Sequence, residues 1–332
     1  MKVMPTKKER KDGEKRVLEY LRKVEKRCPE LAKMGRNLTR EYIEGKLDAV
    51  YGRDAIVTNI QKILLRKSKA NVLLTGNAGC GKTAIAERTA GMLAERSIAL
   101  AIERNRADAE HARAVKEWEG DVDNSSPYPK KSDIYDTPLD TIVLFELSLS
   151  SFIAGAKYVG EPEERVNTLL NELKSLPQIV LFIDEIHTLM GLGKGEHTPG
   201  VAQYLKPALA RRDVRIIGAT TTEEATEIFK DKAMARRFNE IKVEPLRGAV
   251  ALDTAKSILT DYAEYHEIAV DVAHTAEILG KLNTFLPKSV FPDNFINVVD
   301  EALASAKFDG LTAVNMTHYN AVIGRMAGVV IV

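Results

Sequence analysis

The sequence predicts an α/β fold in which a five-stranded parallel sheet is covered by helices on both faces, followed by a small all-α domain. Short apolar runs of strand length alternate with segments whose apolar residues recur at helical spacing. That alternation is typical of a parallel sheet. After Pro245 the strand signal stops and only helical patterns follow. A large α/β domain is therefore expected over residues 38–245 and a helical domain over residues 246–332.

The individual elements follow from the same patterns. The predicted strands are the apolar runs at Asn71–Thr75, 141–147, 178–183, 214–218 and 240–243. The helices predicted between them are at 82–95, 163–174 and 201–210. Those predicted after the last strand are near 252–262, 271–285, 293–307 and 315–326.

The composition is that of an ordinary globular protein. Hydrophobic residues make up 45% and charged residues 29% of the 332 positions, which is typical of a soluble domain. No apolar run reaches the length that crosses a membrane, so a cytoplasmic location and no membrane partner are expected. Two cysteines, Cys28 and Cys80, are too few for a disulfide framework or a cysteine metal site.

Residues 1–37 are predicted to form a basic helical extension. The first 46 residues carry a net charge of +7 and the remainder −6, for a total of +1. Residues 1–13 are polar and are expected to be disordered. From 14 to 34 one apolar stripe recurs at helical spacing and is expected to dock on the body of the protein or on a neighbouring subunit. The charge indicates either a solvated helix or an arm for nucleic acid or an acidic partner.

About forty residues, approximately 98–140, do not fit a compact α/β unit. They run from a charged helical part at 102–119 into a loop at 121–138 that is rich in Ser, Pro and Asp. Connections of this length are uncommon and are often functional or disordered. A tolerated surface insertion and a partner-binding element are both compatible with this segment.

A glycine-rich loop follows the first predicted strand and opens a predicted helix. Its residues are Gly76, Asn77, Ala78, Gly79, Cys80, Gly81, Lys82 and Thr83, which fit the pattern G-x-x-x-x-G-K-[ST]. The glycines allow backbone amides to curl around an anion, and the helix directs its N-terminal dipole at the phosphates. Lys82 would reach the β and γ oxygens and the Thr83 hydroxyl would ligate Mg²⁺. Cys80 is interpreted as a small filler of the loop rather than a redox switch.

An acidic pair follows a second apolar strand. Asp184 and Glu185 come directly after the run 179–183, at the strand end where ligands bind in α/β sheets. Asp184 is expected to hold Mg²⁺ through water, and Glu185 to polarise the attacking water as general base. The pair lies about a hundred residues after the glycine loop. Loop and pair together predict an ATP–Mg²⁺ site.

Several longer segments resemble the first ATPase module of the Clp-type AAA+ unfoldases. The matching segments are 38–54, the glycine loop, 155–165, 181–191, 205–211, 217–221, 234–238 and 291–302. The resemblance covers about 38–328 apart from the insertion. It implies an AAA+ P-loop fold with an α-helical lid, a hexameric homo-oligomeric ring, and a polypeptide substrate threaded through a central pore.

The resemblance also implies roles for individual residues. Thr221 matches the polar sensor beside the acidic pair. Arg236 and Arg237 match arginine fingers that reach the ATP of the neighbouring subunit, where they would stabilise transition-state charge. The positions that contact adenine in the family are Val50, Tyr51 and Gly52.

One matching segment concerns the substrate. Lys157, Tyr158 and Val159 resemble the first pore loop, in which an aromatic residue on a Gly-flanked loop grips an extended polypeptide. A Tyr packed at a helix start is the alternative, since Pro162 suits a first helical turn. The segment 191–197 would be a second pore loop.

The chain also departs from the family pattern. Asn294 stands where the family usually has a Lys, so the lid-to-nucleotide contact of that Lys is not predicted for this chain. The printed sequence holds neither the family's N-terminal substrate-receiving domain nor a second ATPase module, and a natural single-module protein and a shortened form of a longer one both fit. It holds no Ile-Gly-Phe or Leu-Gly-Phe tripeptide either, so peptidase docking is not predicted. An adaptor could bind the N-terminal extension or the insertion.

Three functions are compatible with the sequence. An ATP-driven, ring-forming protein unfoldase is supported by the site, the arginine pair and the pore-loop segment. An ATPase that remodels nucleoprotein complexes is supported only by the basic N-terminal region, so nucleic acid is not the expected partner. A nucleotide-controlled assembly switch would not need the base Glu185.

Overall fold

A mixed sheet forms the centre of the α/β part of the chain. The computed structural model describes residues 4–119, 128, 130, 138–148, 161–188 and 214–331. Its strands are β1 (Gly35–Asn37), β2 (Asn71–Thr75), β3 (Val143–Leu147), β4 (Ile179–Ile183), β5 (Arg215–Thr220) and β6 (Phe238–Lys242). Their order across the described sheet is β1-β3-β4-β5-β2-β6. All neighbouring pairs are parallel except β1 and β3.

The sheet confirms the five predicted strands and corrects their number. β1 is a sixth strand, antiparallel to β3, with Gly35 opposite Leu147 and Asn37 opposite Phe145. It was not predicted because its three residues carry no apolar alternation. An edge strand bonded on one side needs no such pattern, whereas β2 and β4 are buried along their whole length.

Helices cover the sheet. Those up to the end of the sheet are α1 (Lys7–Arg27), α2 (Pro29–Met34), α3 (Leu38–Ile43), α4 (Asp54–Leu64), α5 (Lys82–Glu119), α6 (Glu161–Ser175), α7 (Thr222–Lys230) and α8 (Lys232–Ala235). A short 3₁₀ helix, Pro138–Thr141, leads into β3. The predicted helix at 82–95 and the helical part at 102–119 are one continuous helix, α5. The predicted helix at 201–210 lies outside the described residues.

The N-terminal extension is packed on the α/β domain. Helix α1 begins at Lys7, so residues 7–13 are helical and the expectation of disorder is wrong for them. Its start is stabilised by a capping box between Thr6 and Glu9. The predicted apolar stripe is buried in one core with residues of the sheet and α5, and its members are Val17, Leu21, Val24, Cys28 and Leu31. The stripe therefore docks on the body of the same chain.

Ion pairs reinforce this docking along α5. Arg106 Nε donates to Glu9 Oε1 at 2.6 Å, and Arg16 lies 3.0 Å from Asp108. Both partners on α5 belong to the predicted 98–140 insertion. The first part of the insertion therefore contributes to the packing of the N-terminal helix.

The region after the sheet is helical, as predicted. Its helices are α9 (Gly248–His266), α10 (His274–Phe285), α11 (Asp293–Phe308) and α12 (Met316–Ala327). They share an apolar core of their own, centred on side chains such as Phe295 and Tyr319. A core separate from those of the sheet supports a division near residue 245, which stays a prediction. Within the described ranges, no helix combines the length and the apolarity that crossing a bilayer requires.

Candidate active site

The glycine loop and the acidic pair meet at one edge of the sheet. Strands β2, β4 and β5 are parallel and end at Thr75, Ile183 and Thr220. Parallel strands place their carboxyl ends at the same edge, where α/β proteins bind ligands. The loop after β2 and the carboxylates after β4 therefore face a common space, and α11 approaches it from the helical region.

The glycine loop has no room for side chains at its closest contacts. A Cβ added to Gly76 would lie 2.4 Å from the carbonyl oxygen of Val243. Gly79 has φ +76°, and a Cβ there would lie 2.9 Å from Cβ of Asp293, the first residue of α11. Larger residues at these positions would displace the backbone of the loop or the start of α11. The loop and the helical region are thus in direct contact.

Lys82 is held inside the loop. Its side chain is buried, and Nζ donates to the carbonyls of Gly76 at 2.9 Å and Asn77 at 3.0 Å. These bonds replace part of the hydration that a buried ammonium loses. They keep the positive charge where the phosphate oxygens of a nucleotide bound to the loop would reach it.

Thr83 and Asp184, predicted as metal ligands, are in contact. Thr83 Oγ1 donates to Asp184 Oδ2 at 2.6 Å, although the residues are 101 positions apart. A hydroxyl and a carboxylate from the start of α5 and the end of β4 are hard oxygen donors, which fit Mg²⁺. With bound ATP, the same two groups would face the metal from the protein side.

Glu185 has an unusual backbone conformation. Its φ is +48°, a left-handed value that costs a non-glycine residue energy and that clusters at functional sites. Its amide donates to Asp184 Oδ1 at 2.9 Å, which ties the two acidic residues together. The Glu185 side chain is 55% exposed, and its Oε2 lies 3.3 Å from Nδ1 of His187.

Thr221 and Thr220 divide the polar functions at the end of β5. Thr221 is the N-cap residue of α7, and its hydroxyl donates to Glu224 Oε2 at 2.8 Å and accepts from the Glu224 amide. Thr220 is fully buried, and its hydroxyl lies 3.0 Å from His187 Nδ1. The predicted sensor Thr221 is therefore engaged in a helix cap. Thr220 is the hydroxyl that contacts His187, whose Nδ1 in turn lies 3.3 Å from Glu185 Oε2.

Glu224 links these hydroxyls to His187. Its Oε2 accepts from Thr220 at 3.0 Å and lies 3.0 Å from His187 Nδ1. Burial raises the pKa of the Glu224 carboxyl, but hydrogen bonds from Thr221 and Thr220 and the nearby His187 lower it overall. Sequence reasoning missed Thr220, His187 and Glu224. The only signal available in the sequence was the position of His187, two residues after Glu185.

Val50 and Tyr51 line a cavity of about 470 Å³ between the sheet domain and the helical region. Apolar side chains from both domains form its walls, among them Ala84, Leu246, Ile258, Pro292 and Ile296. The Tyr51 hydroxyl donates to Asp261 Oδ2 at 2.7 Å. Burial and this bond raise the pKa of Tyr51 to about 12. The volume and the mixed lining suit a nucleotide base, so we name this space the base cavity.

Gly52 lines a neighbouring cavity of about 460 Å³ instead, together with Arg10 and Glu14 of α1. The predicted adenine segment thus faces the base cavity on one side and the N-terminal helix on the other. Val50 and Tyr51 line both cavities.

Arg53 joins the adenine segment to the glycine loop. Its buried guanidinium donates to the carbonyl of Cys80 at 2.7 Å and to the carbonyl of Glu244 at 2.8 Å. Burial lowers the pKa of Arg53. Burial also raises the pKa of the Cys80 thiol, as expected of a packed filler.

Asn294 is held within the helical region. It is 6% exposed, and its Nδ2 donates to Ser289 Oγ at 3.0 Å. Its buried Oδ1 has no hydrogen-bond partner in the described part of the chain. Asp293, the preceding residue, is the one that packs against Gly79.

Arg236 and Arg237 lie at the opposite edge of the sheet from the glycine loop. They directly precede β6, whose first residue, Phe238, pairs with Asn71 at the start of β2. The loop follows the other end of β2. At about 3.3 Å per residue, the length of β2 separates the arginines from the loop by roughly 13 Å or more. The pair is therefore remote from the phosphate site of its own chain.

Arg237 belongs to a basic cluster at that edge. The cluster lines a cavity of about 320 Å³ and consists of Arg66, Lys67, Lys69, Arg215 and Arg237. No acidic side chain is among the described residues that line this cavity. Burial lowers the pKa of Arg215, since desolvation disfavours its charged form. The predicted pore-loop residues Lys157, Tyr158 and Val159 lie outside the described residues, as does the segment 191–197.

Comparison with known proteins identifies consistent relatives. A model of the ATPase family associated with various cellular activities (AAA) matches residues 72–245. The chaperone protein ClpB of Helicobacter hepaticus is 35% identical over 278 residues, covering 83% of this chain and 28% of that protein. ClpB of Staphylococcus aureus is 36% identical over 279 residues, with the same two shares. The chain thus spans about 28% of the length of these curated relatives.

Solved structures give the same result. A closed-state cryo-EM reconstruction of Hsp104 with ATPγS and FITC-casein matches with a TM-score of 0.70 and 30% identity, over 90% of this chain and 45% of that one. The extended conformation of the Saccharomyces cerevisiae Hsp104–casein complex matches with a TM-score of 0.69, 30% identity and the same coverage.

Proposed function

The chain belongs to the AAA family of ATPases, and from that premise we propose that it hydrolyses ATP to drive the threading of polypeptide through a ring of identical subunits. The observation that carries the catalytic part is the 2.6 Å contact between Thr83 and Asp184, with Glu185 next in the chain. It joins the phosphate loop and the acidic strand end in one site. The base cavity lined by Tyr51 supplies room for adenine.

Each residue of the site has a defined task in this proposal. The loop amides and Lys82 bind the phosphates and offset their negative charge. Thr83 and Asp184 would hold Mg²⁺, which would offset the negative charge of the phosphates. Glu185 orients and polarises the attacking water. Thr221 remains the proposed sensor, and Thr220, whose hydroxyl contacts His187, is a second hydroxyl beside the site.

Assembly into a ring is supported by the position of the arginine pair. Arg236 and Arg237 are too far from the phosphate loop of their own chain to act there, so they would act in a neighbouring subunit. A head-to-tail contact that joins two different faces closes into a ring when the rotation allows. A hexamer is the order we propose.

The basic cluster and the lining of the base cavity carry opposite charges. The basic cluster includes Arg237 of the arginine pair, whereas the lining of the base cavity includes the carboxylates of Asp48, Glu87, Asp261 and Asp300. Among the described residues of that lining, Arg53 is the one cation, and its guanidinium donates to backbone carbonyls. A basic face meeting an acidic, nucleotide-bearing face would be attractive, and the attraction would weaken with salt.

Polypeptide is the proposed substrate. Two of the similar solved structures contain Hsp104 together with casein. In this chain, Lys157, Tyr158 and Val159 are the residues proposed to grip an extended polypeptide. The N-terminal helix and the 98–140 insertion are the proposed places for an adaptor.

A single variant tests the proposal. Glu185→Gln is expected to bind ATP, to assemble and to hydrolyse it at less than about a hundredth of the parental rate, since the general base is lost. Electron microscopy with ATP would then show a ring with substrate in the pore. Glu223→Gln, at an exposed position of α7, is the matched control.

Two results would contradict the proposal. Turnover of Glu185→Gln at the parental rate would remove the catalytic assignment. Hydrolysis stimulated by DNA or RNA, with a steep salt dependence, and not by unfolded protein would replace threading by action on nucleoprotein.

A further inference from the structure

His187 lies between two carboxylates, just after the end of β4. Its Nδ1 lies 3.0 Å from Glu224 Oε2, 3.3 Å from Glu185 Oε2 and 3.0 Å from Thr220 Oγ1. The imidazole nitrogen and the two carboxylate oxygens are all within 4.8 Å of one another. Two carboxylates this close repel each other unless a donor lies between them.

The imidazole cannot satisfy both carboxylates at once. Whether the ring is neutral or protonated, Nδ1 carries at most one hydrogen. The Thr220 hydroxyl donates to Glu224 at 3.0 Å, so it offers Nδ1 an acceptor rather than a second donor. Glu185 and Glu224 therefore compete for one N–H.

The side chain of Glu224 is held more firmly than that of Glu185. Glu224 is fixed by hydrogen bonds from the Thr221 amide at 3.2 Å, the Thr221 hydroxyl at 2.8 Å and the Thr220 hydroxyl. Glu185 is 55% exposed and binds nothing else with its side chain among the described residues. Glu185 can swing toward a bound nucleotide, whereas Glu224 stays in place.

We propose that Glu224 is a positioning residue that, by taking the Nδ1 hydrogen of His187, releases Glu185 to act as general base. When the imidazole donates to Glu224, Glu185 is free to orient water. When it donates to Glu185, the base is withheld. This inference rests on the proposed role of Glu185 and adds the residues that control its availability.

Because Glu224 lies on α7, a movement of this helix would change how the two carboxylates compete for the His187 hydrogen. Glu224 is the third residue of α7 and part of the capping box with Thr221, at the end of β5. The Arg236–Arg237 pair follows α7 after the short helix α8. A shift of α7 would therefore change the distance between Glu224 and His187 and with it the share of time for which Glu185 is free.

Glu224→Gln tests the inference with little change in structure. Gln serves as well as Glu at this position of a capping box, so helix α7 should keep its start. Its neutral carbonyl accepts a weaker hydrogen bond than the charged Glu185, and the N–H should move to Glu185. The kcat for ATP should fall roughly five- to tenfold, with KM for ATP unchanged and a small fall in Tm, because the hydrogen bonds from Thr220 and Thr221 favour the charged carboxylate. Glu223→Gln, the exposed neighbour, should leave kcat at the parental value.

A double-mutant cycle separates positioning from packing. In a His187→Ala background, Glu224→Gln should cause no further change in kcat, because the hydrogen for which the carboxylates compete is gone. An equal fall in kcat with and without His187 would overturn the proposal. An unchanged kcat in the single variant would overturn it as well.

A measurement without turnover distinguishes this inference from the proposed function. In ¹⁵N-histidine NMR of the nucleotide-free protein, the His187 signal is assigned by its loss in His187→Ala. Glu224→Gln should shift that signal, and Glu185→Gln should shift it in turn. If the parent shows no hydrolysis, the proposed function fails while these shifts still decide whether the two carboxylates share the imidazole. No shift in either variant would overturn the inference.

Discussion

The buried guanidinium of Arg53 donates to the carbonyl of Cys80, in the middle of the glycine loop, at 2.7 Å. Its second bond, to the carbonyl of Glu244, reaches the segment that leads from β6 to the helical region. One side chain thus fixes the positions of the adenine segment, the phosphate loop and the connection between the domains. Nucleotide binding should therefore depend on Arg53.

Arg53→Met should weaken both stability and nucleotide binding. The substitution leaves two carbonyls without their donor, and an unsatisfied buried acceptor costs about 1–3 kcal/mol. We expect a lower Tm and a Kd for a fluorescent ATP analogue raised about tenfold. Arg66→Met is the control, because Arg66 donates to the Asn239 side chain near the start of β6, at the end of the strands away from the glycine loop. A normal Kd in Arg53→Met would mean that the loop keeps its shape unaided.

The contrast between Lys82 and Arg53 shows what the sequence could predict. The task of Lys82 follows from its neighbours in the chain, since the loop that binds it is the loop that contains it. The partners of Arg53 are 27 and 191 positions away, and they are backbone carbonyls, which have no sequence signature. The sequence therefore predicts the role of Lys82 from a local motif, but it does not predict the bonds of Arg53 to distant backbone carbonyls.

The same reason explains the errors in the fold. Buried parallel strands are apolar along their length, so β2 and β4 were recognised, whereas the edge strand β1 takes its partner from β3 and needs no pattern of its own. The pairing of β4 with β5 brings Thr220 and Glu224 beside His187. That juxtaposition depends on the sheet order, which spacing along the chain does not give.

The arginine pair should act between subunits, which a mixing experiment can detect. Lys82→Ala should abolish ATP binding, and Arg237→Ala should lower hydrolysis by about a thousandfold. If the arginine acts in trans, a Lys82→Ala subunit supplies its intact arginine to the site of an Arg237→Ala neighbour. In an equal mixture, about a quarter of the interfaces should be competent, and ATP hydrolysis should rise above that of either variant alone.

The control for this mixture is the double variant Lys82→Ala Arg237→Ala, which should not restore the activity of Arg237→Ala. A mixture no more active than Arg237→Ala by itself would show that the arginine does not act across the interface.

The docking of α1 should depend on pH through Glu9. The hydrogen bond from Arg106, with further bonds from Thr6, lowers the pKa of Glu9 from 4.5 to about 2. A carboxyl with a depressed pKa in the folded state contributes stability above its unfolded pKa, and the contribution is lost as the pH falls toward 2. Glu9→Gln should therefore lower Tm at pH 7, and the difference from the parent should shrink between pH 4.5 and pH 3.

Gln at position 9 keeps the capping box with Thr6, so the difference reports the charge rather than the helix start. Glu19→Gln, at an exposed position of the same helix, should change Tm little at any pH. A difference for Glu9→Gln that is constant from pH 7 to pH 3 would mean that the Arg106 pair contributes nothing.

Tyr158 is the residue on which the threading proposal depends most. If it grips polypeptide in the pore, Tyr158→Ala should abolish the unfolding of a tagged fluorescent substrate protein, because alanine removes the aromatic contact surface. The ATPase rate should stay within about twofold of the parent, since the residue would not contact nucleotide. Tyr158→Phe should unfold substrate, as it keeps the ring, and Tyr128→Ala, at an exposed tyrosine in the insertion, should have no effect. The alternative is a tyrosine packed at the start of α6, which predicts a lower Tm and an equal loss of both activities, and that outcome would remove the pore-loop assignment.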